Sequence, residues 1–351
     1  MKRILMITLF AAMAVGCGNA GNARNESAVK TVGVEEFATI MAQKDVRLVD
    51  VRTPGEYAEG HLPGAENIDV KSADFAARIK GLKGTVAVYC RSGKRSLMAA
   101  EQLTAQGCTV YNLEGGIMAW QKTGRKTTTV ETDVFTTRSG KLVKIHALVH
   151  SSIRIEYDGR EIEIDPCAKL RKTVDYTAAP KADIILITHE HFDHYDAATI
   201  GLLSTAKTQL VMNRRCVDMY GSGTAMANGN KLQLAKDIAV EAVPAYNTTE
   251  GHMDFHPKGR DNGYILTIEG LRIYIAGDTE DIAEMASITD IDIAFLPCNQ
   301  PYTMTPEQLI RAARTVKPKV LFPYHYGETN VSGIPAQLKA DGIDVRIRHY
   351  E

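Results

Sequence analysis

The nine residues THEHFDHYD, at positions 188–196, constrain the fold of this chain more than any other feature. They contain three histidines and three carboxylates, and they follow the apolar run 183–187, which has the composition of a buried strand. A regular strand or helix at this spacing cannot turn four such side chains toward one point, whereas a loop at a strand end can. Imidazole and carboxylate without thiolate suit zinc, iron or manganese, and two such ions can share a site. The stretch therefore predicts a metal site at the carboxyl end of a sheet. The expected ligands are His189, His191, Asp193 and His194.

The length and charge of the chain limit its class. At 351 residues it is long enough for two domains, each with its own core. Its 41 basic and 42 acidic side chains leave a net charge of -1, which provides no electrostatic footprint for nucleic acid. We therefore expect no nucleic-acid partner.

The first 30 residues have the pattern of an export signal. Two basic residues precede the apolar run 4–15, which is too short to span a bilayer and ends in small residues. Residues 14–17 resemble a bacterial lipobox, in which Cys17 is lipidated, and the alternative is an ordinary cleaved signal with an incidental cysteine. Residues 1–17 are then a lipoprotein signal peptide and residues 18–30 a flexible tether. We expect an exported protein, anchored to a membrane by its lipid and facing the periplasm or the cell surface.

The remainder of the chain divides into two α/β regions. Residues 31–123 alternate near-continuous apolar runs with helical stretches, which is typical of a parallel sheet buried on both faces. Residues 124–140 are rich in Thr, Lys, Arg and Gly with little periodicity, and they predict a linker. From 141 to 351, several hairpins are followed by strand-helix alternation, which suggests two sheets packed between helices.

Four of the six cysteines show no functional pattern. They are scattered without CxxC spacing, and a core of this size needs no disulfides for its stability. We therefore interpret them as buried hydrophobic residues. These cysteines are Cys108, Cys167, Cys216 and Cys298.

The fifth cysteine, Cys90, lies in the loop YCRSGKRS at positions 89–96, after a predicted strand and at the start of a predicted helix. Amide N–H groups at a helix start favour negative charge, and the basic residues of the loop add to this field. Both effects should lower the pKa of Cys90 and place a nucleophilic sulfur beside an anionic substrate. The alternative, a buried cysteine that ends a strand, does not explain three cations and a glycine. The expected anion-binding loop consists of Arg91, Ser92, Gly93, Lys94 and Arg95.

The region around this loop resembles a single-domain rhodanese, a sulfurtransferase. The matching stretches are LVDVR at 48–52, EY at 56–57, GHLPGA at 60–65 and LEGGI at 113–117 with Trp120. The loops of the related phosphatases and arsenate reductases are one residue longer, so this loop fits sulfane sulfur better than phosphate. The resemblance implies that Cys90 attacks a sulfane-sulfur donor, carries a persulfide and passes sulfur to a thiol acceptor or cyanide. Asp50 and Arg52 are expected to support the fold and the loop.

The region from 141 to 350 resembles the metallo-β-lactamase superfamily, whose signature is THxHxDH. AGDT at 276–279 supplies Asp278, and FPYHY at 322–326 supplies His325 as the terminal ligand. The resemblance implies an αββα sandwich that binds two divalent ions, with zinc expected and manganese or iron as alternatives.

Two further stretches resemble one branch of that superfamily. VHSSIR at 149–154 and IDP at 164–166 are similar to sequences in the branch of ascorbate-6-phosphate lactonase and the N-acyl-phosphatidylethanolamine phospholipases. In that branch, His150 and Asp165 are expected near the pocket, where they support the ligands.

One metal-binding histidine of the family pattern is missing between Asp193 and Asp278. Asn247 stands at the corresponding place, and His256 lies a little downstream on a glycine-containing loop. The first metal position is therefore completed by Asn247 or His256, or it binds metal weakly. The second metal position has its full set of ligands. That set is Asp193, His194, Asp278 and His325.

The two resemblances together imply a metal-dependent hydrolase of esters, lactones or phosphodiesters, fused to a rhodanese. Cys90 and Asp193 are the expected catalytic residues, and the expected partners are a small-molecule substrate, a sulfane-sulfur donor and a thiol acceptor. The alternative is a persulfide dioxygenase of sulfide metabolism that uses one iron, although in those proteins the metal domain comes first. A third possible function is that of a lipid-anchored binding module. Tyr246, Lys258 and Tyr302 are candidate substrate contacts.

Overall fold

The computed structural model describes residues 29–170 and 174–350. The predicted signal peptide, Cys17 and most of the predicted tether lie outside the described residues. Within the described ranges, no helix has the length and apolar character needed to cross a membrane.

The first region is a five-stranded parallel sheet with helices on both faces. Its strands are β1 (Val29–Val32), β2 (Val46–Asp50), β3 (Glu66–Asn67), β4 (Thr85–Tyr89) and β5 (Thr109–Leu113), in the order β1-β5-β4-β2-β3. Its helices are α1 (Val34–Met41), α2 (Pro54–Ala58), α3 (Phe75–Ile79), α4 (Lys94–Ala105) and α5 (Gly116–Lys122). Two hydrophobic clusters cover the two faces of the sheet. Val86, Ala87 and Val88 of the central strand β4 are fully buried, which explains the continuous apolar run. The carboxyl end of β4 delivers Cys90.

The second region contains two seven-stranded sheets. The strands of the first sheet are β6 (Thr132–Thr136), β7 (Leu142–Val149), β8 (Ser152–Tyr157), β9 (Arg160–Ile164), β10 (Ile184–Ile187), β11 (Gln209–Met212) and β12 (Thr224–Ala225). The strands of the second sheet are β13 (Lys231–Ala235), β14 (Ile238–Ala245), β15 (Asp261–Ile268), β16 (Leu271–Ile275), β17 (Ile293–Pro297), β18 (Val320–Tyr324) and β19 (Asp344–Val345). Both sheets begin as antiparallel meanders and continue with parallel strands.

The two sheets pack face to face, and helices cover the outer faces. The helices are α6 (Ala197–Leu203), α7 (Arg214–Tyr220), α8 (Pro306–Val316) and α9 (Ile334–Leu338), with 3₁₀ turns at Ala283–Ser287 and Lys339–Asp341. One hydrophobic cluster fills the space between the sheets, and two others lie under the helices. On β8, Ile153 and Ile155 point into the shared core while Arg154 points outward, as the two-residue period of a strand requires. The predicted αββα sandwich, preceded by a parallel-sheet domain, is confirmed.

The segment 124–140, predicted as a linker, contains strand β6 at the edge of the first sandwich sheet. Thr132 and Asp133 of this strand are buried because tertiary partners satisfy their polar groups. Thr132 Oγ1 lies 2.8 Å from His146 Nδ1, and Asp133 binds two arginines near the C-terminus. These partners are remote in sequence, so the composition of the segment alone concealed the strand. Strand β1 likewise includes Val29 and Lys30, the last two residues of the predicted tether.

The four cysteines without a pattern are buried and unpaired, as predicted.

Candidate functional site

The side chains of the candidate metal centre come from loops at one end of the sandwich. These loops follow β7, β9, β10, β14, β16 and β18, so the ends of both sheets contribute. The residues, in that order, are His150; Asp165; His189, His191, Asp193 and His194; His256; Asp278; and His325. Sequence-distant ligands therefore meet because these strands run in the same direction within each sheet and end at the same edge.

The first group of potential ligand atoms belongs to His189, His191 and His256, which lie within 4.8 Å of one another. His256 Nδ1 is 3.1 Å from Asp261 Oδ2, which leaves its Nε2 to face the cluster at 3.4 Å from Asp278 Oδ2. Of the two candidates for the missing ligand, the structure brings His256 to the cluster.

Asn247 has a different position. Its side-chain amide donates to the carbonyl oxygens of His252, at 3.2 Å, and Tyr302, at 2.8 Å, and its backbone N–H donates to His256 O at 2.8 Å. Asn247 therefore ties the loop that carries His256 to the loop that carries Tyr302. His252 lies outside the cluster, with Nδ1 3.6 Å from Glu280.

The second group of potential ligand atoms belongs to His150, Asp193, His194 and His325. Asp278 lies between the two groups: its carboxylate is 3.3 Å from His194 Nε2 and 3.2 Å from His325 Nε2. Burial favours the neutral acid, yet His325 and His194 hold the pKa of the Asp278 carboxyl well below its usual range. An ionised carboxylate between two clusters of imidazoles is the arrangement needed to bridge two cations.

Asp165 supports the second group from behind. Its carboxylate accepts hydrogen bonds from Thr188 N at 2.8 Å and Thr188 Oγ1 at 2.7 Å, and it lies 2.8 Å from His194 Nδ1. A carboxylate on the far nitrogen of a histidine fixes the ring orientation and directs the other nitrogen inward. The position predicted for Asp165, beside the ligands, agrees with this geometry.

His150 lies closer to the centre than a supporting role implies. Its Nε2 is 3.1 Å from Asp193 Oδ2, and both side chains are 18% exposed, whereas His194 and His325 are almost fully buried. His150 and Asp193 thus form the solvent-facing side of the cluster.

Backbone strain is concentrated at this site. His150, Asp165 and His325 have φ values of 55°, 45° and 49°, in a region that residues other than glycine adopt at a cost. The surrounding hydrogen bonds and packing hold these conformations, which aim the three side chains at the cluster.

Asp261 and Arg260 are parts of the site that the sequence did not reveal. Asp261 is fully buried, accepts from Arg260 Nε at 2.7 Å and lies against His256. Arg260 Nη2 is 3.4 Å from His191 Nε2. The sequence contained one indication of their role, a charged Arg-Asp pair at the start of an apolar strand.

Two acidic residues of THEHFDHYD lie outside the cluster. Asp196 caps helix α6 by accepting from Ala198 N, and Glu190 forms ion pairs with Arg215 and Arg260.

The geometry fits bound metal ions. The Nε2 atoms of His189, His194 and His325 and one oxygen of Asp278 are buried and have no hydrogen-bond partner among the described residues. Each unpaired buried polar atom costs about 1–3 kcal/mol, so a group of them facing one point needs a ligand that neutralises the cost. Nitrogen and carboxylate donors in two adjoining groups suit divalent ions of the zinc type.

The Cys90 loop lies at the carboxyl end of β4. Cys90 Sγ accepts from Gly93 N at 3.2 Å and from Ser96 Oγ at 3.5 Å. Burial raises the pKa of the Cys90 thiol, but hydrogen bonds from Ser96 and from the backbone of Ser92 and Gly93 outweigh it, so the pKa is lowered. Gly116 permits the close turn behind the loop, because a Cβ at that position would lie 2.4 Å from Cys90 O.

The cations of this loop have different roles. Arg91 and Lys94 are exposed, whereas Arg95 donates to both oxygens of Glu56 at 2.7 and 2.6 Å. Arg95 therefore fastens the loop to helix α2, and its ion pair lowers the pKa of Glu56 to about 2. Asp50 and Arg52 form a buried ion pair at 2.6 Å that also reaches Gly60 O, in keeping with a supporting role.

Two of the three candidate substrate contacts bind each other. Lys258 Nζ is 3.0 Å from the Tyr246 hydroxyl, and both bind Glu284 at 2.7 Å. Tyr302 is 45% exposed and packs edge-on against Phe255 at 5.1 Å.

Comparison with protein families accounts for both regions. The family model of the beta-lactamase superfamily domain matches residues 144–325, and that of the rhodanese-like domain matches residues 33–123. A UPF0173 metal-dependent hydrolase of Geobacillus thermodenitrificans is 32% identical over 195 residues, covering 52% of this chain and 85% of the relative.

Two solved structures are similar to the sandwich region. A protein from Parabacteroides distasonis, described as a metal-dependent hydrolase, is 50% identical with a TM-score of 0.61, and the match covers 63% of this chain and 100% of the other. Igni18, a metallo hydrolase of Ignicoccus hospitalis, is 28% identical with a TM-score of 0.52, covering 59% of this chain and 95% of its own. Fold, ligand geometry and similarity agree, and the chain therefore belongs to the beta-lactamase superfamily and carries a rhodanese-like domain in front of its superfamily domain.

Proposed function

We propose that the superfamily domain is a hydrolase that uses two divalent metal ions, with zinc expected, to cleave an ester, lactone or phosphodiester bond. The observation that carries this proposal is the convergence of unpaired, buried imidazole nitrogens on Asp278. The names of the similar proteins, which are metal-dependent hydrolases, support it.

The proposed ligand assignment follows from the two groups. His189, His191 and His256 would hold the first ion, and Asp193, His194, Asp278 and His325 would hold the second. Divalent ions in such a site make water acidic enough to attack near neutral pH and polarise the bond under attack.

The residues of the chain position the reaction. Asp193 and His150 are the most exposed members of the second group, so the substrate approaches on their side. Asp165 and Asp261 keep His194 and His256 in fixed orientations, which reduces reorganisation during reaction. Similarity to the branch of ascorbate-6-phosphate lactonase and the N-acyl-phosphatidylethanolamine phospholipases, carried by residues 149–154 and 164–166, favours a carbon–oxygen or phosphorus–oxygen ester as substrate.

The test is metal analysis of the purified full chain, followed by a screen of lactones, carboxylic esters and phosphodiesters. We expect about two equivalents of zinc per chain and hydrolysis of at least one class. Asp278→Asn should lose both metal and turnover, while Asp158→Asn, a carboxylate remote from the centre, should retain both. One equivalent of iron with oxygen uptake on glutathione persulfide would instead establish the persulfide dioxygenase. The second group of ligands, complete in Asp193, His194 and His325, is the observation that favours the hydrolase over that mononuclear alternative.

We also propose that the rhodanese-like domain transfers sulfane sulfur through Cys90. The Cys90 thiolate attacks the outer sulfur of a donor such as thiosulfate, which releases sulfite and leaves a persulfide. An acceptor thiolate then attacks the outer sulfur of the persulfide, forming the acceptor persulfide and restoring the Cys90 thiolate. The hydrogen bonds from Gly93 and Ser96 to Sγ, and the exposed Arg91 and Lys94, support binding of an anionic donor.

Thiosulfate:cyanide turnover measures this second proposal. Cys90→Ser should abolish it and leave hydrolysis unchanged, while Asp278→Asn should have the opposite effect. Turnover that persists in Cys90→Ser would remove Cys90 from the mechanism.

We further propose export and lipid anchoring through Cys17, on the pattern of the first 17 residues. Incorporation of labelled palmitate in a bacterial host should be lost in Cys17→Ser. A wild-type protein that takes up no label and is found in the cytoplasm would contradict the proposal.

A further inference from the structure

A depression of about 1060 Å³ lies at the end of the sandwich opposite to the candidate metal centre. It opens where β16, β17 and β18 begin, whereas Asp278 and His325 follow the other ends of β16 and β18. The turn between β6 and β7, the turn between β15 and β16 and the end of helix α8 supply its walls. The volume is close to the upper limit of the roughly 300–1,000 Å³ that is typical of small-molecule sites. A ligand held here is therefore separate from the molecule that reacts at the metal centre.

Arg272, the second residue of β16, lines this depression and has no partner for its guanidinium group. The side chain is partly buried, and its Nε atom is shielded from solvent without a hydrogen-bond partner among the described residues. Its backbone is fixed by Asp292, which accepts from Arg272 N at 2.9 Å and donates from its own N–H to Arg272 O at 3.0 Å. The Asp292 carboxylate is occupied by Lys319, at 2.7 Å. A shielded cationic donor without an acceptor marks a place where a bound acceptor is favourable.

Two further cations of the lining, Arg138 and Lys317, have no ion pair within the part of the chain that the structure describes. Arg138 lies in the turn between β6 and β7, against the turn that precedes Arg272, since a Cβ at Gly270 would lie 3.0 Å from Arg138 Nε. Lys317 is the C-cap of helix α8, and its side chain is exposed. Three cations from three different elements thus face one depression.

Neighbouring cations that do not line the depression have carboxylate partners. Arg311 of helix α8 binds Asp281 at 2.8 Å, and Arg314 of the same helix binds Asp341 at 3.1 Å. The lining contains one carboxylate without an ion pair among the described residues, that of the exposed Asp290. The depression therefore has a local surplus of positive charge in a chain whose net charge is -1, and this surplus favours an anionic ligand.

The deeper part of the lining is apolar. Ile288, Ile291 and Val316 are buried side chains of the lining, and the partly buried Leu271 lies beside them. An aromatic or aliphatic group packs against such a surface, while charged groups at the rim bind the opposite end of the same molecule. The depression thus combines an apolar surface with unpaired cations.

We propose that this depression is a second ligand site, and that it binds a small molecule in which a phosphate group is joined to an aromatic or aliphatic body. Three unpaired cations against one carboxylate match the charge of about -2 that a phosphate monoester carries, better than the single charge of a carboxylate. Arg272 and Arg138 bind the phosphate oxygens, because the planar guanidinium group suits paired hydrogen bonds to phosphate. Lys317 adds a point charge. The site does not depend on either proposed reaction.

The experiment measures binding of 1-naphthylmethylphosphonate to the full chain by calorimetry, because its carbon–phosphorus bond resists hydrolysis. Inorganic phosphate, which lacks the apolar body, and 1-naphthalenemethanol, which lacks the charge, are the comparison ligands. We expect the phosphonate to bind at least about tenfold more tightly than either, since each of the others loses one part of the contact. Asp278→Asn, which alters the metal centre, should bind the phosphonate with the wild-type Kd.

Arg272→Met removes the charge and keeps an unbranched side chain, so it should raise the Kd of the phosphonate about tenfold. Arg138→Gln should raise the Kd in the same direction, and it provides a second variant on an exposed turn if Arg272→Met is poorly folded. Arg314→Gln is the matched control. It removes the same charge from a residue that does not line the depression, and it should keep the wild-type Kd.

The other outcomes overturn the proposal. A phosphonate Kd that is equal in wild type, Arg272→Met and Arg138→Gln removes these arginines from any binding site. An equal rise in Arg314→Gln assigns the effect to net charge. Binding that is lost in Asp278→Asn and kept in Arg272→Met places the phosphonate at the metal centre. Equal affinity for 1-naphthalenemethanol and the phosphonate excludes a site for phosphate.

Discussion

At the scale of single residues, the site depends on groups behind the ligands. Asp165 accepts a hydrogen bond from Thr188 and contacts His194 Nδ1. Asp261 contacts His256 Nδ1 in the same way. Each buried carboxylate therefore fixes the orientation of its imidazole and directs the other ring nitrogen inward. The hydrogen bonds of Ser96 and Gly93 have a comparable effect on the Cys90 sulfur.

Asp165→Asn should weaken metal binding about 10- to 100-fold, because the amide replaces the carboxylate that orients and polarises His194. Competition with a chromophoric zinc chelator measures the affinity. Asp237→Asn, a change at a partly exposed carboxylate that binds Arg160, is the control and should keep the wild-type affinity. Equal affinities in all three proteins would show that Asp165 has no influence on the centre.

Ser96→Ala should raise the pKa of Cys90, because the substitution removes a hydrogen bond that favours the thiolate. Thiolate absorbance near 240 nm against pH reports the pKa, with Cys90→Ser as the blank. The other buried thiols do not interfere, since burial raises the pKa of both Cys216 and Cys298. An unchanged titration would leave the backbone N–H groups as the dominant influence.

At the scale of elements, one loop decides whether the first ligand group is complete. The loop between β14 and β15 carries His256 and is held by Asn247 at one end. Glu280 holds its first turn by accepting from the backbone N–H groups of Thr248 and Thr249, both at 2.8 Å. The first ligand group thus depends on His256, which lies eleven residues beyond the end of β14, whereas every residue of the second group lies within seven residues of a strand end.

Asn247→Ala should reduce bound zinc from about two equivalents to about one, because loss of its hydrogen bonds frees the loop and removes His256 from the cluster. Metal analysis after dialysis gives the stoichiometry. His256→Ala should reproduce the loss, and Asn230→Ala, a change in the turn between β12 and β13, should not. Two equivalents retained in Asn247→Ala would show that the loop is held by Glu280 alone.

At the scale of the whole molecule, Asp133 connects two distant parts of the chain. It lies on β6, between the two domains, and its carboxylate binds Arg346 and Arg348 of the C-terminal segment. The carboxylate is almost fully buried, and although burial opposes ionisation, the two arginines lower the pKa of Asp133 to about 2. The position of the C-terminal segment 346–350 depends on this cluster.

Asp133→Ala should lower the free energy of unfolding by about 3–5 kcal/mol, because it removes the buried carboxylate shared by Arg346 and Arg348 and leaves Arg346 paired only with the exposed Asp344 among the described residues. Urea denaturation measures the change, with Asp158→Ala, which alters a partly exposed ion pair, as the control. Because the pKa is lowered in the folded state, the stabilisation is present above pH about 3.8 and is lost as the pH falls toward about 2. The difference between wild type and Asp133→Ala should shrink over that range. A constant difference would assign the effect to packing.

Local sequence determined the parts of this protein that are encoded by short patterns. The apolar runs before Cys90 and His189 specify buried strands, and the polar residues behind them specify loops at the strand ends. These patterns predicted the parallel-sheet domain, two packed sheets and the loop that carries His189, His191, Asp193 and His194. Only the resemblance to the superfamily added four further residues, which are His150, Asp165, Asp278 and His325.

Only the tertiary structure decided between Asn247 and His256, placed Asp261 behind His256 and revealed strand β6. Each of these features depends on contacts between residues that are far apart in the chain. Asn247 binds Tyr302, and Asp133 binds Arg348. A buried polar group is stable only if its hydrogen bonds are satisfied, and one sequence does not state which distant residue satisfies them.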